Sequence, residues 1–421
     1  MPRLRVLIAG ASIAGPTAAY WFAKAGADVT IIERFPAMRT GGQNVDIRSV
    51  GVTVMRKMPG MEAAVLAKPA GIDGISFVRA DGRSYGTIKP TGNPDQQSLI
   101  SEYEIYRGDL AQILFDMTKD NQNIKYVFGE QVVSMRQHGQ EDGPITVEFA
   151  NGLPTSEYDL VVACDGATSR TRALGLGCGV RDHIKPLNGW VAFCSVSKDL
   201  AKGNRIGQGY NATGGRMIAI GPGSSGESRV TMMKFYPRTD QDASLPFRQA
   251  SKRGDTALRQ FVAQEYEGVG WKAAEAIQAM METDDFYATE LVQVKIPSLY
   301  QGRFVLVGDA GYAPGSTGTG TSLAMAGAYV LAGEISKHKG DIAAGLKCYE
   351  ETMRPILEDL QQELGFAKSI LAPQTAWGIW LRNHIFAFVV WSRILDFVLK
   401  FFAAAFASND KHKLQDYEWV D

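Results

Sequence analysis

Cysteine and histidine are scarce in this chain, at 4 and 5 of 421 residues. The cysteines (Cys164, Cys178, Cys194, Cys348) form no C-x-x-C, which points to a reducing compartment and away from structural zinc. The histidines (His138, His183, His338, His384, His412) stand apart from one another and from any zinc-like cysteine or carboxylate spacing, so no metal is expected. A G-x-S-x-G elbow is missing, which argues against a hydrolase built on that nucleophile. So is any excess of charge: 44 basic residues face 45 acidic ones, for a net charge of −1. Nucleic-acid capture needs a basic surface, and no such partner is expected. No apolar stretch free of charge reaches the length of a membrane span. The apolar run near the N-terminus ends in a glycine turn and not in a small-residue cleavage site, so the chain reads as cytoplasmic. What remains is an ordinary globular composition, 45% hydrophobic and 21% charged, with length for two or three domains.

The first positive signal is "VLIAGASIAG", residues 6–15. A buried strand, a glycine turn, a helix closing at Gly26 and a second strand ending in Glu33 follow one another within 34 residues. In the dinucleotide-binding turn G-x-G-x-x-G, the first glycine makes the tight turn and the third lets helix and strand pack closely. Gly10 and Gly15 fill those positions, with Ala14 beside Gly15, and Ser12 replaces the middle glycine, where the backbone approaches a pyrophosphate. The serine is small and its hydroxyl can donate to a phosphate. Glu33, followed by Arg34, sits where a carboxylate accepts from ribose hydroxyls and repels a 2′-phosphate. FAD or NAD is therefore expected, not NADP.

Residues 302–335, "GRFVLVGDAGYAPGSTGTGTSLAMAGAYVLAGEI", separate those two. A strand ends in Gly308-Asp309, a Pro/Gly/Ser/Thr loop follows, and an apolar helix begins near Thr319. Asp309 suits ribityl hydroxyls. A helix start at Gly318, Gly320 and Thr321 suits the pyrimidine edge of a flavin, where reduction places negative charge. The cofactor expected is FAD.

With "GGQNVDIRSVG" (41–51), "YEIYRGDLAQIL" (103–114) and "YDLVVACDGATSRTR" (158–172), these blocks resemble the class A FAD-dependent flavoprotein monooxygenases, the group that includes p-hydroxybenzoate hydroxylase and the tetracycline-inactivating monooxygenases. The resemblance covers about the first 350 residues. It implies an α/β fold: a Rossmann-like FAD-binding domain, an antiparallel β-sheet substrate domain and C-terminal helices. The expected division is 1–72, 100–178 and 286–345 for FAD, 73–99 and 179–285 for substrate, and 346–421 for the helical region. It implies that Arg107 reaches the FAD phosphates and ribityl, that Asp165 takes part in FAD and NAD(P)H binding, that Arg48 lies near the flavin, and that Gly41 and Gly42 let the backbone pass close to it. The chain departs from the pattern at Ser12, at Tyr312 (often His), at Ser322 (often Asn), and in a loop that keeps Pro314 but loses a Pro-Pro pair.

The resemblance implies non-covalent FAD, NAD(P)H as a transient co-substrate, and O2. A flavin C4a-hydroperoxide would transfer one oxygen atom to a mostly apolar, aromatic or polyketide-like small molecule. The alternative is a non-oxygenating reaction on the same fold: reduction, desaturation or a non-redox cyclisation. No catalytic base is assigned. Strand-like runs broken by Gly and Pro between 180 and 290 suggest the substrate sheet, joined by a hairpin at Asp81-Gly82. Met217, Met232, Met233, Phe235 and Pro314 are the candidate lining residues, with packing on the far face of the sheet as the alternative for the side chains on the strands. The apolar segment 383–406 carries Arg393, Asp396 and Lys400 on one narrow face, which excludes a span. It is expected to cap the other domains; lying in a membrane interface or a dimer contact is the alternative, and the chain is expected to be a monomer or dimer.

Overall fold

The computed structural model describes residues 3–39, 41–90, 101–139, 143–223, 226–237, 242–339, 341–362, 370–392 and 412–420. Continuous apolar runs build its first sheet. The strand Leu160–Ala163 is buried throughout, as is Arg5–Ala9 after its first residue. Strands buried on both faces read this way because helices cover each side of a parallel sheet. The order is Tyr300–Gln301, Phe304–Leu306, Leu160–Ala163, Arg5–Ala9, Asp28–Glu33, Ile124–Phe128, parallel except for the first pair. The helices Ala14–Lys24 and Gly320–Lys337 pack together beside it. Gly308 makes their closeness possible: a Cβ there would lie 3.1 Å from the Ala14 Cβ and 3.4 Å from that of Ala324.

The second sheet has seven strands, in the order Phe286–Val294, Ile184–Val196, Ser228–Phe235, Arg216–Pro222, Ile206–Ala212, Gly74–Val78, Ser84–Ile88. The hairpin expected at Asp81-Gly82 forms its edge, with Gly82 at φ +84°. The sheet is not wholly antiparallel: Ile206–Ala212 runs parallel to Gly74–Val78, because the latter arrives from a distant part of the chain. One face carries the helices Leu245–Lys252, Asp255–Glu265 and Ala273–Glu282 over a core that includes Trp190, Ile218, Met232 and Val262. The other face looks toward the strip Asn44–Asp46, which pairs with Glu104–Tyr106.

Two C-terminal pieces fasten these layers. The helix Ala376–Trp391 lies against the Ser84–Ile88 edge, and residues 412–420 lie along the helices Ala14–Lys24 and Gly320–Lys337. Of the apolar segment 383–406, residues 393–406 lie outside the described residues. No helix among the described residues is long and apolar enough to cross a membrane.

Candidate cofactor and substrate site

The turn after the first strand has the geometry its glycines suggest. Gly10 adopts φ +110°, and its N–H donates to the Ile32 carbonyl at 2.8 Å. A Cβ on Gly15 would sit 1.9 Å from the Gly10 carbonyl oxygen, so no larger residue fits. Ser12 has no positive φ, which is why a serine is tolerated there. Its hydroxyl oxygen is buried without a hydrogen-bond partner. The helix Ala14–Lys24 starts with no capping side chain and no acid in its first turn. A buried, unpartnered donor and an uncapped helix N-terminus fit an anionic phosphate group.

Glu33 lies beside this turn and accepts from the N–H groups of Ala11 (3.0 Å) and Phe35 (3.1 Å). Arg107 begins the helix Arg107–Asp116, its N–H tied to the Gln43 carbonyl at 2.9 Å. Its guanidinium makes no ion pair among the described residues. Burial holds its pKa below the usual arginine value, Arg39 adds to that, and Tyr287, Asp309 and Glu33 oppose it. The fold therefore brings both Glu33 and Asp309 into electrostatic range of Arg107. Gly42, at φ +132°, passes over the Arg107 stem with room for no more than a tight Cβ contact at 3.3 Å. Asp309 keeps an exposed surface; the protein packed around it raises its pKa by desolvation, and the Arg107 charge opposes the rise. The helix Gly320–Lys337 also starts without a capping side chain or an acid, and Gly320 and Thr321 form its first turn after Gly318 at φ +77°.

Other sequence candidates are placed differently. Asp165 spends its carboxylate locally, accepting from the hydroxyls of Ser169 and Thr171 and from the Thr171 N–H. Arg34 is exposed, over the Phe35 ring. Arg48 pairs with Asp46 at 2.5 Å, and its N–H donates to the Ser322 hydroxyl at 2.8 Å. Tyr312, where relatives often carry histidine, points its hydroxyl toward Tyr349 (3.3 Å) and over Gly327, where a Cβ would not fit.

Between the seven-stranded sheet and the Gly42–Asn44 strip lies a cavity of about 340 Å³. Its walls are mostly apolar, with Ile75, Phe77, Phe193, Met217, Leu371 and Phe386 among them. Met217 is thus placed as expected; Met232 is not. The strand register pairs Met217 with Met233 and Ile218 with Met232, so Met232 faces the helices and is 1% exposed. Phe235 also misses this cavity. It ends its strand beside a larger cavity of about 980 Å³, which contains none of the Gly42–Asn44 strip. Pro314 is buried, its carbonyl accepting from the Gln293 side chain at 3.2 Å.

The polar groups of the smaller cavity escaped the sequence reading. Arg229 donates to Asp285 at 3.0 Å and to the Ser195 hydroxyl, lies 3.8 Å from Glu227, and covers the Tyr106 ring at 4.6 Å. Its Nε is buried without a hydrogen-bond partner. Glu104 accepts from the Asn44 amide at 3.1 Å; burial raises its pKa, Asn44 opposes the rise and Asp46 reinforces it. These residues come from five separate stretches of the chain, and no local motif announces them.

Comparison with known proteins agrees with this geometry. Residues 3–363 match the FAD binding domain family. The FAD-dependent monooxygenase asL4 of Sarocladium schorii is 33% identical over 419 residues, covering 94% of each chain. Monooxygenase CTB7 of Cercospora beticola is 31% identical, covering 93% of this chain and 94% of its own. Among solved structures, tetracycline destructase Tet(51) superimposes with a TM-score of 0.79 at 24% identity, over 99% of this chain and 100% of its own. HpxO of Klebsiella pneumoniae, complexed with FAD and uric acid, gives 0.68 at 19% identity, over 94% and 96%. With the family match across residues 3–363 and curated relatives more than 30% identical over nearly the whole chain, the chain belongs to the class A FAD-dependent monooxygenases.

Proposed function

We propose that this enzyme uses NAD(P)H and O2 to insert one oxygen atom into a mostly apolar, aromatic or polyketide-like small molecule. The observation that carries the reading is the 340 Å³ cavity, apolar in its walls and floored by the cofactor strip Gly42–Asn44. That volume suits one small molecule. The relatives support the class: one solved neighbour is a tetracycline destructase, and several curated relatives are named monooxygenases.

FAD, when bound, supplies the electron transfer and oxygen activation. Ser12 and the first turn of Ala14–Lys24 would hold its pyrophosphate, Glu33 its ribose, Arg107 its phosphates and Asp309 its ribityl chain. The N-terminus of Gly320–Lys337 would stabilise negative charge on the flavin ring. Arg229, held by Asp285, Ser195 and Glu227, lines the cavity and would offer a guanidinium N–H to an oxygen of the substrate. Phe77, Phe193 and Phe386 exclude water. The domain division stays as proposed: the first sheet and its helices carry the cofactor, and the second carries the substrate.

The test is turnover with a panel of aromatic and polyketide-like compounds. Expected is NAD(P)H oxidation that depends on the compound, with a product heavier by one oxygen in air and none under anaerobic conditions. Conversion without O2 would reject the monooxygenase reading. Arg229→Met should raise KM with FAD content unchanged; an unchanged KM would remove Arg229 from substrate binding.

A further inference from the structure

The helix Gly320–Lys337 leaves the cofactor channel and ends in a second cluster of reactive groups. Glu334 lies fourteen residues beyond Gly320, about 21 Å along the axis at 1.5 Å per residue. Its side chain is 3% exposed. One carboxylate oxygen accepts from the Tyr417 hydroxyl at 2.8 Å. The other, Oε2, is buried with no hydrogen-bond partner among the described residues; cationic groups on Lys337 and His338 stand 3.6 and 3.7 Å away.

His338 follows one turn later. Its Nδ1 lies 2.8 Å from the Glu334 carbonyl oxygen, a contact that requires the proton on Nδ1. Nε2 is left with its lone pair, 3.7 Å from the Cys348 sulfur on the next helix, Ile342–Leu360. The ligand atoms of Glu334, His338 and Cys348 lie within 4.8 Å of one another. Tetrahedral zinc, with bonds of about 2.0 Å to nitrogen and 2.3 Å to sulfur, needs ligands about 3.3–3.8 Å apart. The imidazole–sulfur separation already meets this, and a small shift of side chains brings the carboxylate into the same range.

We infer that Glu334, His338 and Cys348 form a binding site for a borderline-soft divalent cation, zinc being the fitting one, with water in the fourth position. Mixed oxygen, nitrogen and sulfur donors favour such ions over magnesium or calcium. The Nδ1–H bond to the carbonyl fixes the imidazole tautomer, as second-shell partners of metal-bound histidines do, and Tyr417 does the same for the carboxylate. On binding, the thiol releases its proton to solvent as the sulfur–metal bond forms, with no change of oxidation state. Carboxylate and thiolate then balance the two positive charges. The His338 side chain, 25% exposed, leaves the ion a way in. The ion would clip two helix ends together and, through Tyr417, hold the C-terminal segment.

The test uses the FAD-loaded full chain and zinc alone. After chelation and dialysis, the protein is re-equilibrated with micromolar zinc and its metal content measured. Expected are one zinc per chain, slower alkylation of Cys348 in a mass-mapped labelling assay, and a higher Tm. Cys348→Ser, Glu334→Gln and the more exposed His338→Gln should each weaken zinc binding at least tenfold, with flavin content unchanged. Equal zinc content in wild type and all three variants, or Cys348 labelling indifferent to zinc, would overturn the assignment.

Discussion

Ser12 shows how a substitution in a glycine turn is absorbed. The left-handed position belongs to Gly10 and the close approach to Gly15, so the turn itself asks only for a small middle residue, and the Ser12 hydroxyl would add one phosphate contact to those of the backbone N–H groups. Ser12→Gly should therefore retain FAD, whereas Gly15→Ala, with a Cβ 1.9 Å from the Gly10 oxygen, should open the turn and yield protein without flavin. FAD content after gel filtration decides both. Asp309→Ala should weaken FAD binding by about 1–3 kcal/mol, the scale of a lost charged hydrogen bond, as read by flavin-fluorescence titration; an unchanged Kd would reject the ribityl contact. Glu104 gives the pH prediction. Its pKa is raised in the fold by burial, so the folded state prefers the protonated acid. Stability is then lost as pH rises from the ordinary carboxylate value through the raised one. Glu104→Gln cannot ionise and should have the higher Tm at neutral pH, with the advantage shrinking below the ordinary carboxylate range. A difference in Tm that does not vary with pH would show that ionisation at Glu104 is not involved.

At the scale of elements, continuous apolar runs and a helical pattern between them made the first sheet and its helices legible, because such runs flanked by glycine turns leave few alternatives. Gly10, Gly15, Glu33 and Asp309 were singled out for the same reason, each standing at the end of a strand or the start of a helix, whereas Arg107 came from the family resemblance alone. The substrate wall was less so. Alternation along Ser228–Phe235 says that one parity faces a core, but only the register against Arg216–Pro222 says which, and Met232 was misplaced for want of it. Arg229, Glu104 and Asp285 meet through pairings distant in sequence, and so do Glu334, His338 and Cys348, whose one-turn carboxylate–histidine spacing was passed over. The helix Ala376–Trp391 is held by one buried side chain above all. Arg382 donates to the Asn211 carbonyl oxygen at 2.6 Å and to the Ile370 carbonyl at 3.1 Å, and stacks on Phe77 at 3.9 Å; burial lowers its pKa to about 10. Arg382→Met keeps the stem and loses these bonds. It should lower Tm and, because Leu371 and Phe386 line the cavity, raise substrate KM more than it changes FAD content. An unaltered KM would show that the helix is not part of the substrate wall.

Across the whole molecule, the C-terminal region joins both sheets. The Gln374 amide donates to the Phe235 carbonyl at 2.9 Å, and Asn211 donates to that of Leu371 at 2.9 Å. Further on, Tyr329 donates to the Gln415 carbonyl at 2.8 Å, Val420 pairs with the Lys24 carbonyl at 3.0 Å, and Trp419 packs on Trp21 with ring centres 4.8 Å apart. Yet the helix Ala376–Trp391 turns Trp377, Phe388 and Trp391 outward, at 68%, 56% and 79% exposure. The inner contacts predict a cap; the outer face is of the kind that settles into a membrane interface. Truncation after Leu371 separates them. It removes the Arg382 anchor, Phe386 from the cavity, and Tyr417 and Trp419 from the Trp21–Tyr329 aromatic cluster, and leaves wide apolar surface bare. If the region is part of the fold, the truncated chain is insoluble or free of FAD with and without detergent, and the full chain stays in the supernatant after centrifugation with liposomes. A truncated chain that is soluble, active and flavin-loaded, beside a full chain that sediments with the liposomes, would make the region a membrane anchor instead.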